Sequence, residues 1–407
     1  MDAQDLNRQL EIKELEINAL LEITRAINNN LSEEALYKIF KFTAISNLKF
    51  SRLCLYVRDH TWSGKVHFGT TANYSGIALP EVMENIAFQT PVRQVLSTGP
   101  FVEFDLVIPI SHKGEVISLV FVGGLEDAQK ESSSDERLSF LQALCNIMIV
   151  AIENRKLARA ELEQEAYRKE MEIASDVQQL LFPENLPRTG KVVVEASYLP
   201  HDHVGGDYYD YIRLSDSRFL ICTADVSGKG VGAALLMSSF QASLRTLIRQ
   251  DLDLKEIIET LNARILEITK GERFITCFVA VCDTVSRTLQ YVNAGHNPPF
   301  LIFPDGRITL LEKGSTILGA MSSLPALQKG ELVLPEPATI FCYTDGLTET
   351  LDETGAEFGT AWLHSYFKTN PAQDLNLLHQ DVIIALDNFK GKNPYRDDIT
   401  ILTCRIH

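Results

Sequence analysis

The sequence predicts a multidomain α+β chain, with a helix-flanked antiparallel sheet first, a long helical linker next and a layered α/β sandwich last. Three observations carry this prediction. No Gly or Pro occurs between Leu125 and Pro183, so a single helix of about 45 residues, roughly 65–70 Å long, fits there. Before it, apolar strand-like runs are joined by a tight turn. After it, many short strands alternate with two longer helices, joined mostly by hairpin-type connections.

The elements follow in order. Leu10, Leu15, Leu20, Leu21, Ile23 and Ile27 recur at helical spacing, and Ser32 is a good N-cap for a second helix through Leu36, Ile39, Phe40 and Thr43. Strands fit 52–57, 104–110 and 116–122, the last two joined by His112-Lys113-Gly114-Glu115 as a hairpin. Ser133 and Glu136 are spaced as a capping box that opens the long helix. That helix is apolar early, at Leu144, Ile147 and Val150. From Glu153 to Glu172 it is mostly charged, and Leu157, Leu162, Ala166, Ile173, Val177 and Leu180 leave a thin stripe, which suits a paired helix or a solvated connector. Pro183 and Pro187 end it. Strands then fit 192–196, 219–224, 275–283, 289–293, 300–303, 308–311, 339–343 and 399–405, with helices at 233–249, 254–269, 361–367 and 375–389. The expected domains are 1–134, a linker at 135–182, and 183–407.

Composition narrows the function. The chain has 407 residues, 45% hydrophobic, enough for several packed cores. A net charge of −16 argues against nucleic acid or an anionic membrane as a partner. The first residues lack a signal-peptide pattern, and the apolar runs fall well short of the ~20 residues of a membrane span, so a cytoplasmic protein is expected. Seven cysteines without a CxxC pair read as buried thiols rather than zinc ligands or disulfides.

Acidic residues at strand ends suggest the chemistry. Ala224-Asp225-Val226-Ser227-Gly228-Lys229-Gly230 follows an apolar strand and precedes an apolar helix. Asp207 follows Gly205-Gly206, Asp345 precedes Gly346, and Asp397-Asp398 precede Ile399-Thr400. Singly, each fits a turn or a solvated surface, and Asp305-Gly306 is a plain hairpin turn of the same type. If they converge, carboxylates ~4 Å apart repel by roughly 4 kcal/mol per pair at an effective dielectric near 20. Such a cluster needs cations, and an all-oxygen set favours Mg²⁺ or Mn²⁺. His201 and His203, at i,i+2 spacing, point to opposite faces of a strand and do not compete as metal ligands. Gly228-Lys229-Gly230 is not a P-loop.

From about Met171 onward the chain resembles the SpoIIE/RsbU branch of the PPM superfamily, the metal-dependent serine/threonine protein phosphatases. The matching segments occur in the family's order: Asp176 to Pro183, Val204 to Asp210, Ala224 to Gly230, Val292 to Pro299, Tyr343 to Glu349 and Arg396 to Thr400. The resemblance implies a PPM-type α-β-β-α sandwich and two divalent ions, Mn²⁺ or Mg²⁺. Asp225 would bridge them, helped by the Val226 carbonyl, with Asp345 and Asp397 as ligands and Asp207 and Asp398 as ligands or supporting acceptors. His296 is read as a turn residue rather than a catalytic acid. A metal-activated water would attack phosphorus, so Ser227 is not a nucleophile.

The N-terminal part is similar to GAF sensory domains in its helices, hairpin and final long helix. The Asn-Lys-Phe-Asp-Glu signature of cyclic-nucleotide-binding members is absent, and Trp62, His67, Tyr74 and His112 suit core or surface positions better than a pocket. The function implied is a cytoplasmic signalling phosphatase, a homodimer through its linker, acting on a phosphorylated STAS-type anti-anti-sigma protein under control of a small ligand or partner at the GAF-like domain. A non-catalytic scaffold and a small-molecule phosphoesterase are the alternatives.

Overall fold

The computed structural model describes residues 3–46, 48, 50–80, 92–93, 99–124, 131–250 and 252–407. The chain divides into two compact units, Met1–Glu165 and Ala166–His407.

In the first unit, helices α1 (Ala3–Asn28) and α2 (Glu33–Ser46) precede strands β1 (Arg52–Arg58), β2 (Trp62–Phe68), β3 (Val92–Arg93), β4 (Leu106–His112) and β5 (Glu115–Gly123), and α3 (Glu131–Gln179) follows. The strands form one sheet in the order β2-β1-β5-β4-β3, with every pair antiparallel. Strand periodicity sorts β1 between two cores. Leu53, Leu55 and Val57 join Ile23, Leu36, Phe40, Leu144 and Met148 of the helices. Cys54 and Tyr56 instead join Tyr74, Phe101, Phe104 and Phe121 on the other face.

Ser32 caps α2 as expected, its Oγ accepting from the Ala35 N–H at 3.2 Å. Lys113 and Gly114 both take positive φ (50° and 89°), the conformation that a two-residue hairpin turn requires. Of the four pocket candidates, Tyr74 is fully buried and donates to Glu103 Oε1 at 2.6 Å. Trp62 packs against the same aromatic cluster, His67 lies beside Tyr74, and His112 has a buried Nε2 with no hydrogen-bond partner.

One expectation needs correction here, and one strand was not foreseen. Ser133 lies inside α3, which already runs from Glu131, so it does not open that helix. Strand β2 escaped the sequence pattern because Gly64 interrupts it. A Cβ at Gly64 would lie 2.4 Å from the Tyr74 carbonyl oxygen, and the β1–β2 register shifts between Leu55 and Tyr56.

The second unit holds two antiparallel-rich sheets. One contains β7 (Tyr208–Arg213), β8 (Arg218–Val226), β9 (Ile275–Asp283), β10 (Thr288–Ala294), β13 (Gly314–Ser315) and β14 (Gly330–Val333). The other runs in the order β12 (Ile308–Leu310), β11 (Phe300–Ile302), β15 (Ala338–Tyr343), β16 (Ile399–Ile406) and β6 (Val192–Leu199). Their facing sides share one core, where Phe219, Ile221 and Phe278 meet Ile340, Leu402 and Cys404. Helices α4 (Val231–Leu247) and α5 (Leu254–Thr269) cover the outer face of the first sheet through Met237, Phe240, Leu244, Ile258 and Leu261. A short helix α6 (Asp345–Thr348) follows β15. Helices α7 (Ala361–Thr369) and α8 (Leu375–Lys390) cover the second sheet through Leu363, Phe367, Leu378 and Val382. The unit is therefore a helix-sheet-sheet-helix sandwich, the layered arrangement its alternating patterns imply.

Strand β7 hid from the sequence because Asp210 stands at one of its core positions. Asp210 is 0% exposed and is held by Arg245 of α4 through Nε–Oδ2 and Nη2–Oδ1 contacts of 2.8 and 2.9 Å. The Tyr208 hydroxyl donates to it as well. All seven cysteines are free and buried.

Candidate metal centre

The acidic residues lie where strands end. Asp207 immediately precedes β7, Asp225 is near the end of β8, Asp345 opens α6 just after β15, and Asp397-Asp398 precede β16. Asp345-Gly346 is thus a helix start, not the turn its dipeptide suggests. The hairpin reading of Asp305-Gly306 holds, with Gly306 at φ 79° between β11 and β12.

Backbone contacts bring these ends together. The Gly206 N–H donates to Asp398 Oδ2 at 2.9 Å, and the His201 N–H donates to Asp398 Oδ1 at 2.8 Å. A Cβ at Gly206 would lie 2.8 Å from the Val226 carbonyl oxygen, and one at Gly346 would lie 2.0 Å from the Asp398 carbonyl oxygen. Glycine is required at both positions because backbone from a distant motif occupies the space. Hydroxyls hold the innermost carboxylate: Thr344 and Thr400 donate to Asp207 Oδ2 at 2.7 and 2.6 Å. His201 and His203 sit exposed in a bend rather than on a strand.

Burial and mutual repulsion show in the protonation of the group. Asp207 is held well above the ordinary carboxylate range, first by burial and then by the charge of Asp225. Asp225 is pushed up to about 7, again by burial first, then by Asp345, Asp397 and Asp398. Burial and Asp397 raise Asp345. Asp398 is raised mainly by burial, against the opposing pull of the N–H groups of His201 and Gly206. Among the described residues, Lys229 brings a cation to the group: its Nζ lies 2.9 Å from Asp397 Oδ2 and also donates to the Arg396 carbonyl.

Among the described residues, no group of three or more His, Cys, Asp or Glu side chains closes into a metal-holding geometry. The donor chemistry nevertheless fits hard divalent cations. It offers several carboxylates and the Val226 carbonyl, without competing thiol or imidazole, and their crowded charge is what a cation relieves. His296 does not join the group. It is buried, its Nδ1 lies 2.9 Å from Thr276 Oγ1, and its backbone N–H donates to Asn293 Oδ1 at 2.8 Å. Burial depresses it to about 4. Ser227 Oγ accepts from the Phe274 N–H at 2.9 Å.

Four supporting residues were not singled out by the sequence reading: Thr344, Thr400, Lys229 and Gln178. The first three lie inside acidic motifs, where a hydroxyl or ammonium beside a carboxylate is the signal to look for. Gln178 pairs with Gly205 on the other side of that loop.

Comparison with known proteins places this geometry. Residues 215–407 match the family model for stage II sporulation protein E (SpoIIE), which takes in Asp225, Asp345, Asp397 and Asp398 and begins after Asp207. Protein IcfG of Synechocystis is 29% identical over 279 residues, 61% of this chain and 43% of IcfG, so the chain spans less than half of that relative. The phosphoserine phosphatase RsbU of Bacillus subtilis is 27% identical over 251 residues, 60% of this chain and 71% of RsbU. The SiaA-PP2C domain of Pseudomonas aeruginosa superposes with a TM-score of 0.54 at 23% identity, covering 60% of this chain and 99% of that domain. Residues 215–407 thus resemble the SpoIIE family, and the C-terminal region shares the fold of the SiaA-PP2C domain.

Proposed function

We propose that this chain is a protein serine/threonine phosphatase that removes phosphate from phosphoserine or phosphothreonine with the help of two divalent ions, Mn²⁺ or Mg²⁺. The observation that carries this reading is the approach of Asp207 and Asp398 to Asp225, Asp345 and Asp397, the last four within the segment that matches the SpoIIE family model. Bound divalent ions would supply an activated water nucleophile and offset charge on the phosphoryl oxygens. Asp225 would bridge the ions with help from the Val226 carbonyl. Asp345 and Asp397 would be ligands, and Asp207 and Asp398 ligands or acceptors that orient them.

The chain's own groups suit this role. Thr344 and Thr400 hold the Asp207 carboxylate through Oδ2, which fixes its orientation. Ser227 Oγ is engaged with the Phe274 N–H, which supports a reaction without a protein nucleophile.

The wider reading is a cytoplasmic regulatory enzyme. Residues 1–134 would be a GAF-like sensory domain that takes a small ligand or partner, 135–182 a linker, and 183–407 the phosphatase. Leu157, Leu162, Ile173 and Val177 of α3 are exposed, which supports a homodimer paired along that helix. The substrate would be a phosphorylated STAS-type anti-anti-sigma protein, and the name of the RsbU relative, a phosphoserine phosphatase, supports phosphoserine as the group cleaved.

The deciding experiment is an Mn²⁺-dependent assay on a phosphoserine protein, with Asp225→Asn as control. Activity that survives Asp225→Asn overturns the metal assignment. A chain that cleaves nucleotides but not phosphopeptides is a small-molecule phosphoesterase, and an inert chain is a scaffold. An unchanged rate after removal of the residues before Met171 overturns the regulatory part.

A further inference from the structure

The segment from Asp176 to Pro183 matches no chemistry in the proposed reaction, yet it contains Gln178, a carboxamide only 5% exposed. Its Nε2 donates to the Gly205 carbonyl at 2.7 Å, and its Oε1 accepts from the Gly205 N–H at 3.1 Å. One side chain therefore satisfies both peptide groups of one buried residue. Such groups need partners once water is removed, so the pairing dictates where Gly205 lies.

Gly205 has little freedom on its other side. A Cβ there would lie 1.9 Å from Asp398 Oδ2 and 2.4 Å from the Tyr198 hydroxyl. The next residue, Gly206, donates its N–H to Asp398 Oδ2 at 2.9 Å, and the one after that is Asp207. The end of α3 is also anchored independently of Gln178. Phe182 stacks on Tyr209 with ring centroids 4.8 Å apart, and Gln241 Nε2 donates to the Leu181 carbonyl at 3.2 Å.

We propose that Gln178 is a positioning residue which, by clamping both peptide groups of Gly205, sets Gly206 and Asp207 against Asp398 and so lets the end of α3 fix the geometry of the acidic site. The proposal rests on the reading of that site as a divalent-metal centre. Loss of the clamp frees the Gly205-Gly206 segment and loosens two carboxylates together.

The test uses the full chain with Gln178→Met, Gln178→Asn and the comparison variant Gln241→Met. Gln178→Asn keeps the amide chemistry with a shorter reach, and serves if the Met variant folds poorly. Hydrogen exchange of residues 204–207 in EDTA reads the clamp directly. A titration with Mn²⁺ alone, followed by the resonance signal of the free ion, reads the site. Both Gln178 variants should exchange at least about tenfold faster at 204–207 and bind Mn²⁺ about tenfold more weakly. Gln241→Met should change neither. Wild-type exchange in Gln178→Met overturns the proposal, and so does faster exchange with unchanged Mn²⁺ affinity. If the unsubstituted chain binds no Mn²⁺, the metal reading falls, while faster exchange still supports the clamp.

Discussion

Lys229 and Asp397 form an ion pair at 2.9 Å, joining the loop after β8 to the loop before β16. Both side chains are about half exposed, so water screens the attraction, and the pair adds no more than about 1 kcal/mol to stability. Its larger effect is on charge, because the ammonium offsets one carboxylate of the acidic site.

Lys229→Met should therefore leave thermal unfolding within about 1 kcal/mol of the unsubstituted chain. Mn²⁺ should bind several-fold more tightly, since a cation held against Asp397 no longer competes. Calorimetric titration checks this, and weaker Mn²⁺ binding would show that Lys229 does not oppose the ion.

Asp225→Asn should lower Mn²⁺-dependent hydrolysis at least about a hundredfold. Its effect on stability in EDTA has the opposite sign. Asp225 titrates near 7 in the folded chain against an ordinary 3.8, so its ionisation penalises the fold increasingly from pH 4 to 7 and fully above that. Removing the charge should stabilise the metal-free chain at pH 8 by about 1–4 kcal/mol and do little at pH 4. Thermal unfolding at both pH values checks this.

His379 supplies the reverse case. Both its nitrogens face hydroxyls, Ser197 Oγ and Thr403 Oγ1, each at 2.8 Å, and burial depresses it to about 3. Its neutral form stabilises the fold above pH 6.5, and that contribution is lost as the pH falls toward 3. Urea titrations at pH 7 and pH 5 should show His379→Gln losing about 1–2 kcal/mol less stability on acidification than the unsubstituted chain. Because the carboxylates are common to both proteins, the difference isolates the histidine.

Arg245→Met should destabilise the second unit by about 3–5 kcal/mol, because it strands the fully buried Asp210 without its counter-charge. Pairing it with Asp210→Asn should recover much of that loss. A double-mutant thermal cycle reads the coupling directly.

The sequence conveyed the layered fold well where its patterns were unbroken. Helix α5 matches its expected bounds at Leu254 and Thr269, because apolar spacing and the Asp253–Glu256 capping box agree there. It failed where a tertiary partner changed a residue's meaning. Asp210 breaks the apolar pattern of β7, and only the Arg245 partner explains its burial. Gly64 interrupts the pattern of β2 because the Tyr74 backbone fills the space where a side chain would lie. At the site, the carboxylates could be named from their motifs, and spacing alone could not bring them together. What escaped were the groups that hold them, since Thr344, Thr400 and Gln178 act across contacts that no local pattern encodes.

The pairing of β16 with both β15 and β6 carries a consequence for how the domain comes into being. Strand β6 begins at Val192, yet its neighbour in the sheet ends at Ile406, so the sheet must await nearly the whole domain. Asp397 and Asp398 arrive with that same strand. During synthesis, a ribosome-bound chain can assemble α4, α5 and the β7–β10 strands while the acidic site is still incomplete. Such long-range closure is slow relative to local pairing, and it makes completion of the acidic site a late event. A truncated or partly folded copy of this domain should therefore lack the complete acidic site rather than hold a weakened one.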